Sequence, residues 1–329
     1  MRRRDFVTLV SGAAVAWPLA ARSQRSRRLP TIGVLWHASN EQEEAPYLGA
    51  FRQGLNDLGY VESKNVILEN RFAAERYERF NELAAELVHL NVDVLVAVTR
   101  PAALAAQRAT TTTPVVFILV PDPVASKLVE SLARPGRNIT GVSQIALDLI
   151  AKRLQLLKET VAGLSSVAVL VNPGDPDDAR RYIEEARAAA TTLNVAIHSI
   201  EVGTPEALDE AFSAIARDRH GGVIVTNDPM YFNERIRIAE LGTARRLPVV
   251  SFSRAMAASG SLISYGADIP ALFRRGAALA IRILQGAKPA DLPVELPTKF
   301  EFIINMKTAR ALGLEVLPTL LARADEVIE

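Results

Sequence analysis

The residues best suited to hold a small molecule cluster at the ends of apolar runs. Trp36-His37-Ala38-Ser39-Asn40 follows one such run, Thr99-Arg100-Pro101 another and Pro121-Asp122-Pro123 a third. In the second half the same positions are filled by Asn172-Pro173, Asn227-Asp228-Pro229 and Ser251-Phe252-Ser253-Arg254. The chemistry is that of recognition. An Asp carboxylate holds an ammonium group, and Arg100 or Arg254 can fork onto a carboxylate. Ser39, Thr99, Ser143 and Ser253 supply short hydroxyls, and His37 and Asn172 stand beside them. A helix starting at Pro101 would offer free backbone N–H groups to an anion. Trp36 or Tyr265 could cover an apolar part of the guest. Each residue also has a plainer use. Asp before Pro is a common helix-start and turn device, Trp36 at a strand end suits a core, and arginines are mostly exposed.

Catalytic patterns are missing. His37, His89, His198 and His220 are scattered without metal-ligand spacing, and there is no cysteine to act as nucleophile, thiolate ligand or disulfide partner. No phosphate-binding Gly-rich loop, H-E-x-x-H or G-x-S-x-G stands in the chain. Asp175, Asp177 and Asp178 read as the acidic start of a helix, complementing its dipole. The expectation is no enzyme, no cofactor and no metal. The balance of 38 Lys and Arg against 37 Asp and Glu gives no electrostatic reason for nucleic acid as a partner.

The elements that position these residues follow from periodicity. Residues 31–36, 65–72, 93–98 and 114–120 are predicted strands, with helices over 45–58, 77–90, 101–109 and 124–132 between and after them. The pattern then restarts, with helices over 148–161, 177–193, 205–216 and 233–245 and strands over 167–171, 195–202, 222–226 and 248–252. Apolar runs without alternation mean strands buried on both faces, and the intervening helices mean right-handed crossovers and parallel sheets. An extended segment over 261–265, a helix over 271–284, a proline-spaced connection over 289–297 and a strand over 300–305 end the pattern. The fold class is α/β: two Rossmann-like lobes with parallel sheets flanked by helices, joined by a multi-strand hinge. A length of 329 residues suits two such units. The expected lobes are 29–143 with about 266–298, and 144–265 with about 299–329. Ligands of open parallel sheets sit outside the carboxyl ends of the strands, so two facing lobes would set Asp122 and Asp228 on opposite walls of one cleft.

Residues 1–23 read as an address. Arg2-Arg3-Arg4 precedes an apolar stretch from Phe6 to Trp17, and then come Pro18, Ala20-Ala21 and Ser23. This is the order of a signal peptide. The arginines followed by a polar residue and Phe6 resemble the twin-arginine export signal. Cleavage after Ala21 or Ser23 would leave a periplasmic protein.

From about Leu29 to its end the chain resembles the ABC-transporter substrate-binding proteins of the tryptophan/tyrosine-type group, which have a type I periplasmic-binding-protein fold. The resemblance is carried by Phe51-Arg52-Gln53-Gly54-Leu55, Leu58-Gly59-Tyr60-Val61-Glu62, Thr113-Pro114-Val115-Val116-Phe117, Asp122-Pro123-Val124, Leu132-Ala133-Arg134-Pro135-Gly136, Asn138-Ile139-Thr140-Gly141-Val142-Ser143, Lys152-Arg153-Leu154, Val171-Asn172-Pro173, Ser264-Tyr265-Gly266 and Gly286-Ala287-Lys288-Pro289. It implies a monomeric, hinge-closing binder of an amino acid or related carboxylate that delivers its solute to a membrane permease and its ATPase. A co-receptor for a signalling system would share the fold. The chain departs from the family at Val98-Thr99-Arg100-Pro101-Ala102-Ala103, where the family has a small residue in place of Arg100. That charge and bulk argue for an acidic or larger solute over an aromatic amino acid.

Overall fold

The computed structural model of the protein describes residues 28–147 and 149–329; the expected export signal in 1–23 lies outside them. The chain first lays down β1 (Thr31–Trp36), α1 (Ala45–Asp57), β2 (Ile67–Phe72), α2 (Arg79–His89), β3 (Val94–Val98), α3 (Arg100–Ala109), β4 (Val115–Val120) and β5 (Ile139–Ser143). These strands form one five-stranded parallel sheet in the order β2-β1-β3-β4-β5. β1, β3 and β4 are buried along their whole length, as expected for apolar runs with helices on both faces.

The second body contains α4 (Ile150–Thr160), β6 (Ser166–Val171), α5 (Pro176–Leu193), β7 (Ala196–Glu201), α6 (Leu208–Arg217), β8 (Val223–Val225), α7 (Pro229–Asn233), α8 (Arg235–Ala244), β9 (Val249–Ser251), α9 (Arg254–Ala258) and β10 (Ile263–Ala267). After α10 (Ile269–Leu284), the chain adds β11 (Phe300–Asn305), α11 (Met306–Leu312), α12 (Pro318–Leu321) and β12 (Glu326–Ile328). The second sheet has seven strands in the order β12-β11-β10-β9-β8-β6-β7. It is parallel except where β11 runs antiparallel to β10.

The helix α10 returns to the first sheet. Gly54 of α1 sits so close to it that a Cβ there would stand 2.8 Å from Arg274 Cα, and a Cβ at Gly276 would meet Ile118 of β4. Strands β11 and β12 stay with the second sheet. The chain therefore passes between the two bodies after Ser143, at Asp268 and again near 296–299.

Several expected elements are corrected. Residues 124–132 form turns with no helix. Asp122 and Pro123 accept the local N–H groups there, and Lys127 takes a positive φ of 56°, which interrupts a helical run. The helix expected over 233–245 is α8, and a short helix that was not expected, α7, precedes it with Asp228 as its cap. Residues 139–143, for which no strand was expected, pair with β4 as an edge strand. The short α9, α11, α12 and β12 were not foreseen; the helices are four to seven residues long, too short for a periodic signal.

Candidate functional site

A cavity lies between the two bodies at the carboxyl ends of their strands. The first body supplies His37 after β1, Tyr47 from α1, Tyr77 before α2, Thr99 and Arg100 at the start of α3, and Leu119 with Pro121 at the end of β4. The second supplies Asp175 and Asp178 at the start of α5, Asn227 and Asp228 after β8, Phe232 from α7 and Phe252 after β9. Gln144 and Ile269 come from two of the crossing segments.

Backbone irregularity aims two of these groups. Thr99 has φ 82° and ψ 164° at the start of α3, and its buried Oγ1 has no hydrogen-bond partner. Such a backbone costs on the order of 1–3 kcal/mol and concentrates at ligand sites. In β4 the register slips between Ile118 and Val120, and Leu119 at φ 64° is the residue set out of line. The irregularity turns an otherwise sheet-bound leucine onto the cavity wall.

The charges are mostly spoken for. Arg100 donates from one terminal nitrogen to both oxygens of Asp175 at 2.5 Å and from Nε to Ser126 Oγ at 3.0 Å. The pair crosses from one body to the other. His37 lies 3.0 Å from Glu44 through Nε2 and 3.0 Å from Glu75 through Nδ1. Burial works against its charge, but Glu44, Glu75 and Asp228 outweigh it, so its pKa rises to about 9. Asn233 of α7 donates to the same Glu75 oxygen at 2.6 Å, again across the cleft. Tyr47 and Phe232 meet across it with ring centroids 5.0 Å apart.

Two lining carboxylates make no ion pair with a described residue, although His37 acts on Asp228, and Arg100 and Arg181 act on Asp178, from further off. Asp228 Oδ1 accepts the N–H of Met230 at 2.9 Å, which caps α7. Burial raises its pKa to about 6, against the hydrogen bond from Asn172. Asp178 is raised to about 7 by burial and by Asp175, and its Oδ1 has no partner. The cavity thus offers desolvated carboxyl groups, which a cationic guest would hold in their charged form, beside Tyr47, Tyr77, Phe232 and Phe252. Among the described residues no group of His, Asp and Glu could hold a metal ion, and no helix is long and apolar enough to cross a membrane.

Residues 32–328 match the family model for ABC transporter substrate binding proteins. The chain belongs to that family. Its members are binding proteins, so this protein binds a substrate and is not an enzyme. It is 25% identical over 296 residues to the "Tyrosine-binding protein" of Clostridioides difficile (strain R20291), covering 90% of this chain and 83% of that one. It superposes on a conserved domain protein of Vibrio cholerae with TM-score 0.85, 25% identity and coverage of 91% of this chain and 100% of the other. The ABC domain of Streptococcus pneumonia in complex with L-Trp gives TM-score 0.84 at 24% identity, covering 92% and 100% of the two chains. The fold is that of the type I periplasmic binding proteins.

The structure brings together His37, Thr99, Arg100 and Asp228 of the residues singled out in the sequence, and separates the rest from the cavity. Trp36 is fully buried, stacked on Phe273 with Nε1 donated to Asn70; it is core. Ser39 is exposed and its N–H is held by Glu43. Asp122 and Ser143 line a separate hollow, where Asp122 caps the turn at Val124 and Ala125 and accepts from Arg181 at 2.5 Å. Asp122 and Asp228 therefore do not face each other across one cavity. Asn172 stands behind Asp228. Ser253 precedes α9 with its Oγ unpartnered. Arg254 is exposed and forks onto Glu326 at 2.7 Å. Tyr265 stacks on Phe300.

Tyr47, Tyr77, Gln144, Asp175, Asp178, Phe232 and Phe252 were missed as site residues. Tyr47 sits at core spacing on α1, and a helix-facing aromatic reads as core. Asp175 and Asp178 did carry a signal: three acids within four residues directly after a strand end. Asp175 caps Asp178 N–H as expected of a helix start, and it faces the cavity as well.

Proposed function

We propose that the protein is the exported solute receptor of an ABC uptake system, and that its solute is an amino acid with a bulky apolar or aromatic side chain. The observation that carries this reading is the pair Asp178 and Asp228, desolvated and outside any ion pair with a described residue, in a cavity that also presents Tyr47, Tyr77, Phe232 and Phe252. An ammonium group satisfies the carboxylates and an apolar side chain fills the remainder. Arg100 no longer favours an acidic solute, because Asp175 neutralises it. The likeness to a tyrosine-binding protein and to a domain complexed with L-Trp supports the same class. The lobes that close are 29–143 with 266–298, and 144–265 with 299–329; α10 packing on α1 and β11 pairing with β10 support that division. The signal in 1–23 supports delivery to the periplasm, where a permease and its ATPase would receive the closed form.

Calorimetric titration of L-tyrosine and L-tryptophan into wild type and Asp228→Asn tests the reading. Asn keeps the cap on Met230 but removes the charge. Affinity is expected to fall at least tenfold while the melting temperature holds. Wild type that binds neither amino acid, or a variant that binds both unchanged, overturns it.

A further inference from the structure

Arg153, on α4, is the largest charged side chain wholly inside the second body, with no exposed surface. Its Nε donates to Tyr265 O at 2.8 Å and one terminal nitrogen to Asn227 Oδ1 at 2.8 Å; the other terminal nitrogen has no partner. It makes no ion pair with a described residue. Burial lowers its pKa to about 10, still well above neutrality, so the guanidinium remains a cation there. Burying an unpaired cation is costly, and packing alone would be served by an apolar side chain.

What the arginine dictates is orientation. A guanidinium has only donors, so the oxygen of Asn227 must face it and the Nδ2 group must face away. That Nδ2 donates to Gln144 Oε1 at 3.3 Å, which turns the oxygen of Gln144 inward and leaves its Nε2 as the outer end. Asn227 and Gln144 both line the cavity, one from the second body and one from the crossing segment. A single buried cation thus orders two amides in series, both presenting N–H groups, and polarises them.

Resting on the amino-acid reading above, we propose that Arg153 is a positioning residue which makes Asn227 and Gln144 a donor pair for the solute's carboxylate. The solute's ammonium turns to Asp178 and Asp228. No cationic side chain need touch the solute, which suits a cavity whose one lining arginine is already paired to Asp175. An amide pair fixed from behind discriminates a carboxylate from an uncharged or missing group without a rotamer change.

The decisive variant is Asn227→Asp. An aspartate there still accepts from Arg153, now as an ion pair, so the fold is retained. The cavity, however, loses a donor and gains an acceptor. L-tryptophan, tryptamine, which lacks the carboxylate, and indole-3-propionate, which lacks the ammonium, are titrated into wild type, Asn227→Asp and Arg153→Met. Wild type is expected to prefer L-tryptophan over tryptamine by at least tenfold. In Asn227→Asp that preference should vanish, with L-tryptophan and indole-3-propionate weakened at least tenfold and the melting temperature unchanged or raised. Arg153→Met should shrink the same preference, whatever it does to stability. If Asn227→Asp keeps the wild-type preference, or wild type binds tryptamine as well as L-tryptophan, the carboxylate subsite is refuted while the cavity remains an amine site. If wild type binds none of the three probes, the amino-acid reading itself falls and takes this one with it.

Discussion

Arg100 is where sequence and structure pull apart, and its role can be measured. Its ion pair with Asp175 joins the two bodies, so it exists only when they are together. Both side chains keep about one-sixth of their surface exposed, 16% and 15%. That places the pair between an exposed bridge, worth up to about 1 kcal/mol, and a desolvated interfacial charge pair, for which roughly 1.5–7 kcal/mol has been found. A value near 2 kcal/mol fits a doubly accepted bond at partial burial. If the solute binds the joined form, losing 2 kcal/mol from that form weakens the apparent affinity by roughly 30-fold. The variants are Arg100→Ala, Asp175→Asn, which keeps the α5 cap, and the double variant, titrated with L-tryptophan. Because the two residues act through each other, each single variant should lose about 30-fold and the double variant about the same. A double variant that loses the product of the single effects would mean Arg100 acts on the solute directly. Unchanged affinity in Arg100→Ala would refute the latch.

Gly54→Ala should cost about 1–3 kcal/mol in urea unfolding, as overpacking does, because the added Cβ would stand 2.8 Å from Arg274 Cα; an unchanged unfolding midpoint would show that α10 is not held so tightly. For His37 the pKa rises from 6.5 to about 9, so the protonated form is favoured in the folded state. Its contribution is fully present below pH 6.5 and is lost as pH climbs through about 9, on the order of 3 kcal/mol. The melting temperature of wild type should therefore fall across that window more steeply than that of His37→Gln, and parallel profiles would exclude the coupling to Glu44, Glu75 and Asp228.

The sequence alone determined the layering. Residues 32–36, 94–98 and 115–120 are unbroken apolar runs, and such runs between amphipathic helices have no stable home except a sheet covered on both faces. The strand-end rule follows from that layering, and it points to His37, Thr99, Arg100 and Asp228, which line the cavity. The tertiary structure alone decided which polar groups find one another. Arg100 is a candidate for a solute carboxylate until Asp175, 75 residues away in the chain, is seen to take it. Trp36 and Tyr47 both stack on Phe273, yet only Tyr47 lines the cavity and also meets Phe232 across the gap. Arg153 reads as an ordinary helical arginine, and only burial reveals a cation aligning two amides. The physical reason is range. Periodicity reports each segment's own apolar face, whereas pairing between charges depends on distances set by segments far apart in the chain.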